Sequence, residues 1–340
     1  MFRSVVRFIT QLFLWRYHPK RPSKLVAIVV PVFNRPELTS DEQTSLRHLR
    51  RYLDNYDKFL IAPNGLNFKL PGFKTLHFSR KFYGNGRAHS RLLYRLGFYK
   101  NFEDYKYILM HHLDALVFSD ELKKWCDTDV DYIGAPWIPF NDAPSWLSDL
   151  LTRTKLLREA ASEDSAWEVE PKVGSGGFAL MKVESILNVL LERYLREPNK
   201  YWRDRFASFI ELLLKPFKKL TAMPAISWRI KRFMKRDEIS LPNDEFWSFH
   251  AVRYLPTFKI ADWKTGLKFA FEVGPRECLE LNDGNLPFGC HRWPDYDRSF
   301  WEPYLIKVED EKRRHEETST ADVTKPSTTA ATVQLTTETL

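Results

Sequence analysis

KLVAIVVPVFN (24–34) is an almost unbroken apolar, β-branched run closed by Pro31, Asn34 and Pro36. A strand with one wet face would alternate polar and apolar residues. This one does not, so both its faces are covered, as in a largely parallel sheet between layers of helix. Working outward, 40–53 spaces Leu46, Leu49, Tyr52 and Leu53 as one side of a helix. KFLIAPNG (58–65) and KTLHFS (74–79) read as further strands, and 88–98 sets Leu92, Leu93 and Leu96 on one helical side. YKYILMHHLDALVF (105–118) and DVDYIGAPW (129–137) continue the strands. Strand alternating with helix in this way predicts an α/β sandwich. Beyond Trp137 the pattern loosens. VGSGGFAL (173–180) runs into a helix carrying Ile186, Val189, Leu190 and Tyr194, ISLPNDEFWSFHAV (239–252) opens a helix that Asn243 or Asp244 can cap, and LKFAFEV (267–273) reads as a short strand.

Composition narrows the setting. The chain has 340 residues, 44% hydrophobic and 28% charged, enough for a full soluble core. Cys126, Cys278 and Cys290 are an odd count without paired spacing, which excludes a disulfide framework and a zinc knot and fits a reducing, cytoplasmic setting. The stretch 1–23 mixes Phe2, Val5, Phe8, Leu12 and Phe13 with arginines. It is too short to span a bilayer, so it lies on an anionic membrane or docks on the body of the protein. The segment 190–236 holds 13 Lys or Arg against four Asp or Glu, a surplus of nine in a chain whose net charge is +8. A basic patch this local fits a phosphate-rich surface, such as the inner face of an anionic membrane, or a solvated helical insertion. It does not fit a nucleic-acid binder, which would carry its charge more widely and for which no zinc-finger or RNP-like signal exists. From 318 to 340 there are 11 Ser or Thr among 23 residues, and 309–340 is expected to be a disordered tail.

The chemistry-bearing residues are scattered. There is no Walker motif, no GxGxxG after the first strand, no HExxH and no GxSxG. LMHHLDALVF (109–118) interrupts an apolar run with His111, His112 and Asp114. In an extended segment His112 and Asp114 share a face while Leu113 turns to the core. At the C-terminal end of a sheet strand that pair either holds a divalent ion such as Mn²⁺ or forms a buried hydrogen-bonded His–Asp pair; His111, on the opposite face, is a packed, hydrogen-bonded histidine. LPFGCHRWP (286–294) supplies His291 in a loop. Asp244 and Glu245 are adjacent acids at a helix start, where one serves the helix dipole and the other is free to act as a general base. The GNG turn at 84–86 with Arg87 either touches a phosphate or connects elements.

VVPVFNR (29–35), LMHHLDALVF, DYIGAPW (131–137), VGSGGFAL, NDEFWSF (243–249) and PFGCHRW (287–293), taken in order, resemble a bacterial family of uncharacterised glycosyltransferase-like domains, and more widely the nucleotide-sugar glycosyltransferases of the A-type (GT-A) fold. The resemblance covers roughly 24–304. It implies a mixed, mostly parallel central sheet flanked by helices in a domain at 24–308, with the basic helical insertion at about 190–236. It also implies an Asp-x-Asp element at the end of a central strand holding Mn²⁺ or Mg²⁺ against the donor diphosphate. Here His112 and Asp114 take that place, with histidine replacing the first acid, and His291 supplies a ligand from the C-terminal loop. Pro31, Phe33, Asn34 and Arg35 would border the nucleotide, Arg87 a phosphate, and Gly176 and Gly177 would let the backbone approach the donor sugar or acceptor. Glu245 is the favoured catalytic base, with Asp244 its rival. The implied function is sugar transfer from a nucleotide-sugar to a saccharide or lipid-linked acceptor, inverting and metal-assisted, in surface polysaccharide or glycoconjugate synthesis at the membrane. Two alternatives stand beside it: a non-catalytic nucleotide- or glycan-binding scaffold, and a metal-dependent nucleotidyltransferase.

Overall fold

A computed structural model describes residues 21–33, 35–138, 144–147, 149–150, 171–196 and 241–308. Asn34, nearly all of the N-terminal segment, positions 197–236 of the basic segment and the tail from 309 lie outside the described residues.

The strands are β1 (Lys24–Pro31), β2 (Asp57–Pro63), β3 (Phe73–Phe78), β4 (Tyr105–His111), β5 (Leu116–Val117), β6 (Tyr132–Gly134), β7 (Pro136–Trp137), β8 (Lys172–Val173), β9 (Phe178–Lys182), β10 (Ala270–Phe271) and β11 (Gly289–Cys290). Six of them form the central sheet in the order β3-β2-β1-β4-β9-β6. β3, β2, β1 and β4 run parallel, and β9 lies antiparallel to both β4 and β6. This is the mixed, mostly parallel sheet expected from the sequence, and it is consistent with an A-type arrangement. β1 is central, and Ala27 to Val30 are fully buried, which is why its sequence lacks alternation. Each buried valine or isoleucine there contributes roughly 1.5–3 kcal/mol relative to exposure.

Helices flank the sheet. α1 (Ser40–Leu53) begins at a reciprocal capping box: Thr39 Oγ1 accepts from the Glu42 N–H, and the Glu42 carboxylate accepts from the Thr39 N–H. Its buried face carries Leu46, Leu49 and Leu53. α2 (Gly86–Leu93) starts at Asn85, whose side chain accepts from the Ala88 N–H at 2.9 Å. The apolar run at 88–98 is two helices rather than one, because the chain turns at Tyr94 and Arg95 before a short helix at Leu96–Tyr99. α3 (Val183–Arg196) packs against β4. α4 (Asn243–Glu245) leads into a π-helical turn at Phe246–His250, and neither Asn243 nor Asp244 caps it, since Pro242 holds the N-cap position. α5 (Trp263–Phe269) takes the first three residues of the expected strand 267–273, leaving only β10 as strand.

A second, small sheet in the order β10-β11-β5 positions the site. Phe271 pairs with Cys290, and Cys290 pairs with Leu116. One step further along that register, Glu272 and His291 come side by side, next to the turn that carries Asp114.

Candidate functional site

LMHHLDALVF is not one strand. β4 ends at His111, where its antiparallel partner β9 begins with Phe178. The His112 N–H donates to the Gly177 carbonyl at 2.8 Å, and the Ala115 N–H donates back to the His112 carbonyl at 3.1 Å. A turn therefore brings His112 and Asp114 together, not strand alternation, while Leu113 is buried as expected. His111 is fully buried with its ring edge-on to Phe178, but neither ring nitrogen has a hydrogen-bond partner among the described residues. It is packed, as expected.

Three segments meet at this turn. The Trp293 N–H donates to the Asp114 carbonyl at 3.2 Å, and the His291 N–H donates to the Phe271 carbonyl at 2.9 Å. The result is a group of side chains, His112, Asp114 and His291, each offering a ligand atom within 4.8 Å of the others. His291 Nε2 is 3.4 Å from Asp114 Oδ1. On the other side of the same ring, His291 Nδ1 donates to Glu272 Oε1 at 2.7 Å, with Ser175 Oγ at 3.2 Å. A carboxylate behind a histidine fixes the tautomer that leaves Nε2 as a lone pair, the usual support of a metal-bound imidazole. Sequence reading missed Glu272. Its signal was an acid enclosed by Phe271 and Val273, the same kind of interruption that marked Asp114.

The electrostatics agree with a cation site. Burial alone would raise the Asp114 carboxyl pKa, yet His291 and, more weakly, His112 hold it well below the usual carboxylate range. Burial would lower the His291 pKa, but Asp114 and Glu272 on either side raise it to about 10. With no cation bound, a proton on His291 balances these acids. Burial, then the neighbouring His291 and His89, push the His112 pKa well below its ordinary value, so that ring is neutral and can donate a lone pair. Two imidazole nitrogens and one carboxylate oxygen suit a divalent transition ion.

His112 and His291 of this group line a cavity of about 640 Å³ at the C-terminal edge of the parallel strands, where ligands bind in open α/β sheets. Arg87 and the start of α2 also line it, as do Gly176, Gly177, Asn243 and Asp244. Asp244 lines the cavity and Glu245 does not. Burial, and then the charge of Glu272, raise the Asp244 pKa to about 6. The glycines serve contacts within the protein: a Cβ on Gly177 would lie 1.9 Å from His291 Nε2, and one on Gly176 would lie 2.8 Å from Asn243 Oδ1. Their missing side chains admit His291 and Asn243. Pro31 is buried at the end of β1, and Phe33 is exposed beside His89 with ring centroids 6.2 Å apart. Arg35 is drawn to the α1 capping box by Glu42 at 2.5 Å and is not part of the cavity lining.

A family model described as "Protein of unknown function (DUF5672)" matches residues 72–291, which span β4, the glycine segment, α4 and both His112 and His291. The chain belongs to the DUF5672 family. No curated protein matches it in sequence. Among solved structures, this DUF5672 chain is similar to the apo form of mouse xyloside xylosyltransferase 1, at 10% identity over 79% of this chain and 96% of that one, with a TM-score of 0.38. No described helix is long and apolar enough to cross a membrane.

Proposed function

We propose that this DUF5672 protein is a metal-assisted glycosyltransferase that moves a sugar from a nucleotide-sugar to a saccharide or lipid-linked acceptor. The observation that carries the proposal is the cluster of His112, Asp114 and His291, whose two histidines line a cavity that the carboxylate Asp244 also lines. Sugar transfer needs these two parts: compensation for the charge of a departing diphosphate, and a base for the attacking hydroxyl. His112, Asp114 and His291 would hold a divalent cation, Mn²⁺ by their donor set, which supplies that compensation when bound. Arg87 and the N–H groups opening α2 add positive potential on the same side. Asp244 is the base in this proposal. It lines the cavity, and a pKa near 6 leaves it ionised at neutral pH and more basic than an ordinary carboxylate. Glu245, which the resemblance favours, is buried outside that lining. Attachment to an anionic membrane surface on the cytoplasmic side, and a role in polysaccharide or glycoconjugate synthesis, complete the proposal. They are motivated by the charge surplus of 190–236.

The test is a screen of UDP-, GDP-, dTDP- and ADP-sugars with Mn²⁺, read first as thermal stabilisation and then as product. Release of a nucleoside diphosphate that is lost in Asp244→Asn supports the proposal. Pyrophosphate release would point to nucleotidyl transfer instead, and tight binding without either product to a scaffold. Absence of any donor binding refutes the donor site.

A further inference from the structure

His89 is 4% exposed, lines the cavity from α2, and has no hydrogen-bond partner on either ring nitrogen among the described residues. Its ring is fixed by edge contacts to His112, at 5.4 Å, and to Phe33, at 6.2 Å. Asn243 lines the same cavity, and its Oδ1 is also buried and without a partner among the described residues. Asn243 is held against α2 beside His89: its backbone N–H donates to Ser90 Oγ at 3.3 Å, and its Nδ2 lies 3.5 Å from the same oxygen. Buried polar atoms left unpaired are costly, and two side chains in that state lining one cavity call for a ligand.

The chemistry of these atoms selects the ligand. A neutral imidazole offers one donor and one acceptor, and the amide oxygen adds a second acceptor. Two acceptors in this lining would repel phosphate oxygens, which belong beside Arg87 and the α2 N-terminus. Hydroxyl groups on adjacent ring carbons, each both donor and acceptor, satisfy all three positions.

We infer that His89 and Asn243 form a hydroxyl-reading subsite for the sugar ring of the donor, beside the metal ligand His112. This rests on the nucleotide-sugar proposal above and names the residues that recognise the sugar. His89 touches the substrate and sets its specificity; it does not take part in proton transfer.

The experiment compares the intact chain with His89→Phe, His89→Gln and Asn243→Ala. Calorimetry with Mn²⁺ measures the affinity of each for UDP, GDP, dTDP and ADP and for the matching nucleotide-glucose or nucleotide-mannose. The quantity read is the sugar increment, the ratio of diphosphate Kd to nucleotide-sugar Kd. The expected increment is 10-fold or more in the wild type for the cognate donor, falls to about 1 in His89→Phe and drops in Asn243→Ala. His89→Gln, which keeps a donor and an acceptor, retains part of it. Diphosphate affinity is unchanged throughout. Without ligand, His89→Phe melts at or above the wild-type temperature, because it removes two unpaired buried nitrogens and keeps the packing. An increment preserved within twofold in His89→Phe overturns the inference while leaving the donor site intact, as does a wild type that binds diphosphate and nucleotide-sugar equally well. A wild type that binds neither overturns the donor site and the inference with it. If His89→Phe does not fold, the ring nitrogens are structural and the inference fails.

Discussion

Replacing Gly177 with alanine sets a methyl carbon 1.9 Å from His291 Nε2 and 2.3 Å from both Cδ2 and Cε1. Ordinary contact begins near 3.4 Å, so the ring must retreat from 1.9 to 3.4 Å, a shift of about 1.5 Å. His291 has nowhere to go, being 8% exposed and held at Nδ1 by Glu272 at 2.7 Å. The shift therefore breaks a charge-assisted hydrogen bond, at about 1.5–3 kcal/mol, and adds overpacking of about 1–3 kcal/mol. Gly177→Ala should destabilise the fold by about 2–6 kcal/mol in equilibrium urea unfolding. It should also lower Mn²⁺ affinity by at least ~100-fold, the upper end of the effect of losing a supporting partner, because a ligand is displaced outright. Gly97→Ala is the control: nothing lies within 4 Å of its added carbon, it sits in the helix at Leu96–Tyr99, and it should be neutral or gain up to ~1 kcal/mol. A Gly177→Ala protein that keeps wild-type stability and Mn²⁺ affinity would refute the claimed approach of backbone to histidine.

Glu272→Gln keeps a hydrogen-bond acceptor but removes the charge behind His291, and should weaken Mn²⁺ binding about 10–100-fold by calorimetry. Mn²⁺ should bind at least ~10-fold more tightly than Mg²⁺, since two of the three donors are imidazoles; equal affinities would speak against the donor set. Asp244 has a folded pKa of about 6, above its ordinary 3.8, so its ionised form opposes folding: between about pH 4 and 6 the native state holds the extra proton, and this contribution declines as pH rises. Asp244→Asn should therefore raise the melting temperature at pH 7.5 while abolishing turnover, and wild-type turnover should rise with pH through about 6. His48, His89 and His111 are each pushed down to about 4 by burial, so the unfolded chain binds their protons first as pH falls below 6.5. Their three contributions outnumber that of Asp244, and urea unfolding should show net stability falling from pH 6.5 towards 4. For His48 the cost is visible in the structure: its ring is neutral, with Nδ1 donating to the Val117 carbonyl at 2.9 Å and Nε2 accepting from the Ile306 N–H at 3.0 Å.

The parallel half of the sheet was legible because buried strands and amphipathic helices write their periods into consecutive residues. The Ser40–Leu53 helix is one case, and β1 with its uninterrupted β-branched run is another. His112, Asp114 and His291 were legible as polar residues in apolar surroundings. What brings them together was not, because it depends on pairings between distant segments. The small sheet rests on two-residue strands, too short to leave a period, and the first three residues of LKFAFEV are the end of α5. Glu272 went unread for the same reason, because the register of the small sheet places it beside His291, and His89 because its neighbours come from other segments. The glycines of VGSGGFAL were noticed, but the sequence could not say whether they admit a ligand or the protein's own His291.

The central claim is that His112, Asp114 and His291 hold one divalent cation. Electron paramagnetic resonance of Mn²⁺ titrated into the intact wild-type chain and into Asp114→Ala tests it without requiring a donor or acceptor. One bound Mn²⁺ per wild-type chain, lost in Asp114→Ala while both proteins remain folded by circular dichroism, is the predicted result. No bound Mn²⁺ in the wild type, or equal binding in Asp114→Ala, would contradict it.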